Sequence, residues 1–184
     1  MTKFLKSTLV ATSLALATAP AALAQNPTVG GAAMPSNQTI VQNASNSPIH
    51  TTLVSAVKQA GLVETLASPG PFTVFAPTDA AFGKVPSSTV SMLMDPANND
   101  QLTKVLTAHV VAGDLSAGQI LARANANGGQ FAMKTVSGDT ITAMPEGQGL
   151  AIVDENGGKA IITIADVDQS NGVIHVVNNV LVPQ

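Results

Sequence analysis

The sequence predicts an α+β fold, and three observations predict it. Apolar residues recur at helical spacing between Thr39 and His109. From Phe131 onward the period changes to two, in short apolar runs separated by turns. No regular alternation of strand and helix links the two halves, as a parallel βαβ sheet would require. No internal repeat is visible, so the fold is expected in a single copy.

Met1–Ala24 reads as a secretion signal. Lys3 and Lys6 supply its positive start, Leu9 to Ala22 is apolar, and Ala22-Leu23-Ala24 is a small-x-small cleavage site before Gln25. The apolar run is shorter than the roughly 20 residues of a spanning helix. The chain has no cysteine, which excludes a lipid-attachment cysteine and a disulfide framework. The mature product is therefore expected in a bacterial periplasm or outside the cell, not spanning a membrane. Cleavage removes two of eight basic residues and none of eleven acidic ones, leaving a net charge of −5. That charge argues against nucleic acid or an anionic membrane as partner. About 160 residues remain, enough for one domain with a proper core. Gln25–Gln38, rich in Gly, Pro, Asn and small residues, reads as a flexible linker, with Val29 and Met34 able to pack as a short arm. Thr39–Gln184 is the domain.

Ile40 and Val41 open a short helix that Asn46-Ser47-Pro48 ends. Leu53, Ala56, Val57 and Ala60 form the apolar stripe of a second helix from about Thr51, which Gly61 breaks. His50, at its N-terminal edge, is expected to be solvated or capping. Leu62–Leu66 adds one turn. Pro69-Gly70-Pro71 is a turn, and Phe72–Ala76 a short apolar strand that Pro77 stops for want of an amide hydrogen. Thr78 is an N-cap, and Asp79 puts a carboxylate in the first helical turn, where the backbone dipole favours it. Three of the five phenylalanines, Phe72, Phe75 and Phe82, lie in this corner, and no Trp or Tyr shares the packing. The domain is expected to condense around it. Pro86 to Met94 is another short helix. Asp95-Pro96 starts a longer one, with Leu102, Val105, Leu106 and His109 in one stripe. Val110-Val111 is extended and Gly113 turns the chain. Ser116 and Gln119 form a capping box, with Leu115 and Ile120 as its staple. Strands follow at Phe131–Met133, Thr140–Ala143, Leu150–Val153, Ala160–Ile164 and Val173–Val177.

Phe72-Thr-Val-Phe-Ala-Pro-Thr-Asp-Ala-Ala-Phe82 closely resembles the first signature of the fasciclin domain family. Asn171-Gly172-Val-Ile-His175-Val-Val-Asn-Asn-Val-Leu-Val-Pro183 resembles its second signature, and His109-Val-Val-Ala-Gly113 its His-Val-Val-x-Gly element. The resemblance spans roughly Thr39 to Pro183. It implies a β-wedge or sandwich with helices packed on it, used for adhesion and recognition without catalysis. It also implies that His109 and His175 are structural. Ala108 departs from the pattern, since many relatives carry Tyr before that histidine, and this weakens transfer of tyrosine–histidine adhesion activity. In animal relatives an Asp-Ile pair before the second signature has been linked to integrin binding. Asp166-Val167 occupies the matching place here and, with His109, is the candidate recognition element. The residue-level expectation is that Asp166 caps a turn and Val167 fills the core.

No catalytic constellation emerges. There is no thiol, no Gly-x-Ser-x-Gly elbow, no phosphate or dinucleotide loop, and no histidine pair at zinc-ligand spacing. No catalytic, metal or cofactor residue is assigned. Asp154 and Glu155 are expected to be solvated, and too few for a dedicated calcium site. Two functions fit. One is a recognition or adhesion module for a surface, matrix or protein partner. The other is a carrier of an apolar small molecule such as a carotenoid, as the resemblance allows, with Met92, Met94, Met133 and Met144 lining a groove.

Overall fold

The computed structural model describes residues 26–182. The expected signal Met1–Ala24, its cleavage point at Gln25, and Pro183 lie outside the described residues. The helices are α1 (Ile40–Asn46), α2 (Thr51–Gln59), α3 (Val63–Ala67), α4 (Asp79–Phe82), α5 (Ser87–Leu93), α6 (Asn99–Ala108) and α7 (Ala117–Ala126). The strands are β1 (Phe72–Pro77), β2 (Val110–Ala112), β3 (Phe131–Lys134), β4 (Thr140–Glu146), β5 (Gly149–Val153), β6 (Lys159–Gln169) and β7 (Gly172–Val177). They form one seven-stranded sheet in the order β2-β1-β7-β6-β5-β4-β3. Only β1 and β7 run parallel; every other neighbour is antiparallel. The two outer strands approach each other, because Val111 bridges Thr135 and the Val136 amide donates to Val110 O at 2.8 Å. The α+β expectation holds.

The parallel pair β1/β7 divides the interior, because successive side chains of a strand point to opposite faces. Val74 and Ala76 of β1, with Ile174 and Val176 of β7, face a core built with α1, α2, α3 and α6. Phe75 and Val177 face the opposite way, into a core closed by Val111, Ile120, Met133, Ile141, Leu150 and Ile152. Phe75 is 0 % exposed, as expected of the residue at the organising corner. Strand β6 turns the sheet into a wedge. It pairs with β5 only through Lys159–Ile161, then with β7 from Ile162 to Gln169 across two register shifts.

Local caps follow the sequence closely. Thr78 Oγ1 accepts from the Ala81 amide, and the Ser116–Gln119 box closes in both directions. A second box, Thr39 with Gln42, starts α1 and was not foreseen. Three expectations need correction. Strand β1 runs through Pro77 and does not stop before it, because a last residue can pair without its own amide; Thr78 N supplies the next bond to Val177 O at 3.4 Å. Asp95 does cap, but Pro96–Asn98 is a 3₁₀ turn and the α-helix begins only at Asn99. Residues 26–38 are not a loose linker. The alternative of a short packed arm is what the structure has: Val29 and Met34 are buried in the first core, and hydrogen bonds such as Ser170 N to Gln38 O hold the segment beside them.

Candidate functional site

The three histidines are the residues with most chemical potential, and all three are buried. His109 is the C-cap residue of α6 and 3 % exposed. Its Nε2 accepts from the Leu181 amide at 2.9 Å, so Nδ1 carries the proton and donates to Val105 O at 2.7 Å. His175, in β7 and 0 % exposed, has the opposite tautomer. Its Nδ1 accepts from the Asp166 amide at 3.2 Å, and Nε2 donates to Leu115 O at 2.8 Å. Its ring stacks on Phe75 with centroids 5.6 Å apart. Both nitrogens of both rings are engaged by backbone, so neither has a lone pair free for a metal or a substrate proton. Burial lowers both pKa values below the usual histidine range, against the bonds to Val105 and Leu115 and the charges of nearby aspartates. The rings tie strands to loops: His109 to the segment after β7, His175 to the bulge of β6 and the start of α7.

His50 departs from expectation. It is neither solvated nor a cap: it is 2 % exposed and makes no side-chain bond to α2. Nδ1 lies 2.8 Å from Ser47 Oγ, whereas Nε2 satisfies no hydrogen-bond geometry. Desolvation lowers its pKa, opposed by the Ala76 backbone and the Asp79 charge. The helix N-terminus it leaves uncapped is served by Asp79, whose carboxylate accepts from Thr51 N, Thr51 Oγ1 and Thr52 N at 3.2, 2.7 and 2.8 Å. Asp79 thus anchors α2 from 28 residues away, besides opening α4. Desolvation pushes its pKa up, but the bonds from Thr52 and Thr51 outweigh that and hold it below the usual carboxylate value.

Asp166 and Val167 do not form a presented pair. Val167 is 0 % exposed and sits in the first core. Asp166 lies at a β6 register shift with φ 56°, an uncommon conformation for a residue other than glycine. Its Oδ1 accepts from Ala117 N at 2.7 Å, so it caps α7 instead of a turn. Of the three candidate recognition residues, Asp166 is exposed, while Val167 and His109 are buried. Asp154 is likewise buried, not solvated: its oxygens accept from the amides of Asn156, Gly158 and Val182. Glu155 accepts from Thr140 N. Gly113 has φ 113° and donates to Pro71 O, while Thr73 Oγ1 donates to Gly113 O. Gly172 is required by close approach, since a Cβ there would run into the backbone of Phe72. The four methionines line no common groove: Met133 is in the second core, Met94 packs against the first, and Met92 is exposed.

Sequence reasoning missed Asn171. Its Oδ1 accepts from Ile40 N at 3.0 Å, and Nδ2 donates to Leu66 O and Ser68 O at 2.8 and 2.9 Å. One buried amide thereby caps the start of α1 and the end of α3. It also missed an open groove of about 680 Å³ beside α4 and α5, lined among others by Thr52, Asp79, Phe82, Lys84, Val90 and Ser91. Neither leaves a short motif. Among the described residues, no group of three or more His, Asp or Glu is placed to hold a metal ion.

The fasciclin domain family model matches residues 48–183. The chain belongs to the fasciclin domain family. It is 43 % identical over 155 residues to protein sll1483 of Synechocystis sp., covering 84 % of this chain and 79 % of that one. It is 36 % identical over 145 residues to the immunogenic protein MPB70 of Mycobacterium bovis, covering 76 % and 66 %. With the cell surface glycolipoprotein MPB83 of the same species it shares 32 % over 166 residues, covering 87 % and 68 %. The FAS1 domain pair of the insect cell adhesion molecule fasciclin I superposes with a TM-score of 0.70 at 19 % identity, covering 78 % of this fasciclin chain and 50 % of that one. That likeness establishes the fold. No helix among the described residues is long and apolar enough to cross a membrane.

Proposed function

We propose that this fasciclin protein is an exported recognition module. It comprises a cleaved signal (Met1–Ala24) and one domain, and it adheres to a surface, matrix polymer or protein partner in the periplasm or outside the cell. The observation that carries the reading is the open groove beside α4 and α5. It is a large open concavity lined by apolar side chains (Phe82, Val85, Val90) and by polar and charged ones (Thr52, Lys84, Ser87, Ser91), a composition compatible with a non-obligate contact surface. The histidines favour the same reading, since their bonds serve the scaffold. The carrier reading draws less support. The apolar cavity between α1, α2, α3 and β1 has a volume of about 40 Å³, far below the roughly 300–1,000 Å³ of ligand pockets. The test is a pull-down from the native envelope with wild type and a Ser91→Arg variant. Ser91 is exposed in the groove, so the variant is expected to keep its melting temperature and lose the captured partner. Equal capture by both would remove the groove from the proposal. Absorbance of protein purified from its own host checks the carrier reading: a bound chromophore would favour it.

A further inference from the structure

The segment 26–38 is bound to its own domain as a peptide ligand would be. Val29 and Ala32 bond reciprocally at 2.9 and 3.1 Å across Gly30-Gly31, making a small plug. Gly30, with φ 61°, lies against Pro48 and Ile49; a Cβ there would fall 2.9 Å from Ile49 Cγ2. Val29 and Met34 insert into the first core. Asn26 imitates a strand rung: its Nδ2 donates to Asp168 O at 2.6 Å and its Oδ1 accepts from Asp168 N at 3.1 Å. Asn43 Nδ2 donates to Pro35 O at 2.8 Å, and Ser170 N to Gln38 O at 2.9 Å. No residue from 26 to 38 is charged. Pro35, Ser36 and Asn37, which join the plug to the domain, are exposed and belong to no helix or strand.

We propose that this segment is an exchangeable arm, and that its seat also accepts the same arm from a second copy of the chain. The seat contacts to the part of the arm before the joint come from the domain beyond it: Pro48 and Ile49 against Gly30, and Asp168 on Asn26. The Asn43–Pro35 and Ser170–Gln38 bonds lie at and behind the joint and stay within each copy. A second copy therefore offers the identical set of bonds, and only the joint Pro35–Asn37 must change course. No side chain of residues 26–38 is charged, so none has to be desolvated as an ion on re-entry. Reciprocal exchange is isologous: each copy gives one arm and receives one, so assembly closes at a dimer. The inference needs only the arm and its seat, and stands or falls apart from the groove beside α4.

Native mass spectrometry of the exported chain over a concentration series tests it, with a synthetic peptide of residues 26–38 as competitor. Dimers are expected to grow with concentration. Excess peptide should convert them to monomers carrying one peptide, with no variant needed. Met34→Asp, which puts a charge into the seat, should abolish the dimer while the monomer stays folded by circular dichroism. A chain that remains monomeric up to millimolar concentration overturns the proposal. So does a dimer that persists at saturating peptide, or one that survives Met34→Asp unchanged.

Discussion

The two faces of the β1/β7 pair are closed by different means. The helical face is filled by many mid-sized aliphatic side chains from five or more segments, including the arm. The opposite face is also largely aliphatic, but it adds one large ring, Phe75, stacked on His175, with backbone amides and carbonyls occupying the imidazoles. A face made of many small contacts spreads a loss among neighbours. A face that includes one large ring and fixed hydrogen bonds concentrates part of it there.

That contrast orders the expected effects. Phe75→Ala should cost about 3–5 kcal/mol, and the comparable truncation Ile174→Ala, one step along on the paired strand and facing the helices, should fall toward the lower end of about 2–5 kcal/mol. Urea melts of both decide it, and equal losses would dissolve the distinction between the faces. His175→Ala and His109→Ala should each cost about 1–3 kcal/mol, because the amides of Asp166 and Leu181 lose their acceptors. Metal analysis alongside the melts sharpens this: a stable His175→Ala protein that had lost a bound ion would show a site where the structure has a strut.

Stability against pH separates the histidines from Asp79. All three histidines have folded pKa values below the ordinary 6.5, so the folded state binds fewer protons than the unfolded one just under that pH. Stability should therefore be full above 6.5 and fall as the pH drops from there toward the lowered folded values. Asp79 is depressed from 3.8, so its contribution is present above 3.8 and is lost only as the pH falls below that, through its folded value. Melts across this range in wild type and a His50→Gln variant would reveal the share of His50; an unchanged acid limb would leave His109 and His175 as its source. Thr78→Ala should cost about 0.5–2 kcal/mol for one lost cap. Thermal denaturation would detect it, and a larger loss would mean that α4 also carries the position of Asp79 above α2.

What was legible in the sequence was local. Thr78, the Ser116–Gln119 box and the stripe of α6 each need partners within one helical turn, so residue types and spacing suffice. Phe75 was legible because few aromatic residues compete for a core. Asn171 was not, since the groups it caps lie 131, 105 and 103 residues away and the Asn-Gly pair looks like any turn. Asp79 was read as serving its own helix, although its oxygens reach back to α2. The arm was legible only as an alternative to a flexible linker, through Val29 and Met34, because two anchors among small residues have no period. Val167 was legible as a core residue; that Asp166 would reach Ala117 at the start of α7 was not, because a register shift in β6 sets its direction and leaves no pattern in sequence.

The contact between the outer strands has a consequence for crowding. A sheet with a long bare rim offers its amides to any passing strand, and neighbouring molecules then add without limit. Here the Val111–Thr135 bridge and the Val136–Val110 bond bring one rim against the other. Molecules packed densely on a surface would find little backbone there on which to grow a fibre. Their encounters are left to side chains and to the arm, where contact can be selective and can come to an end.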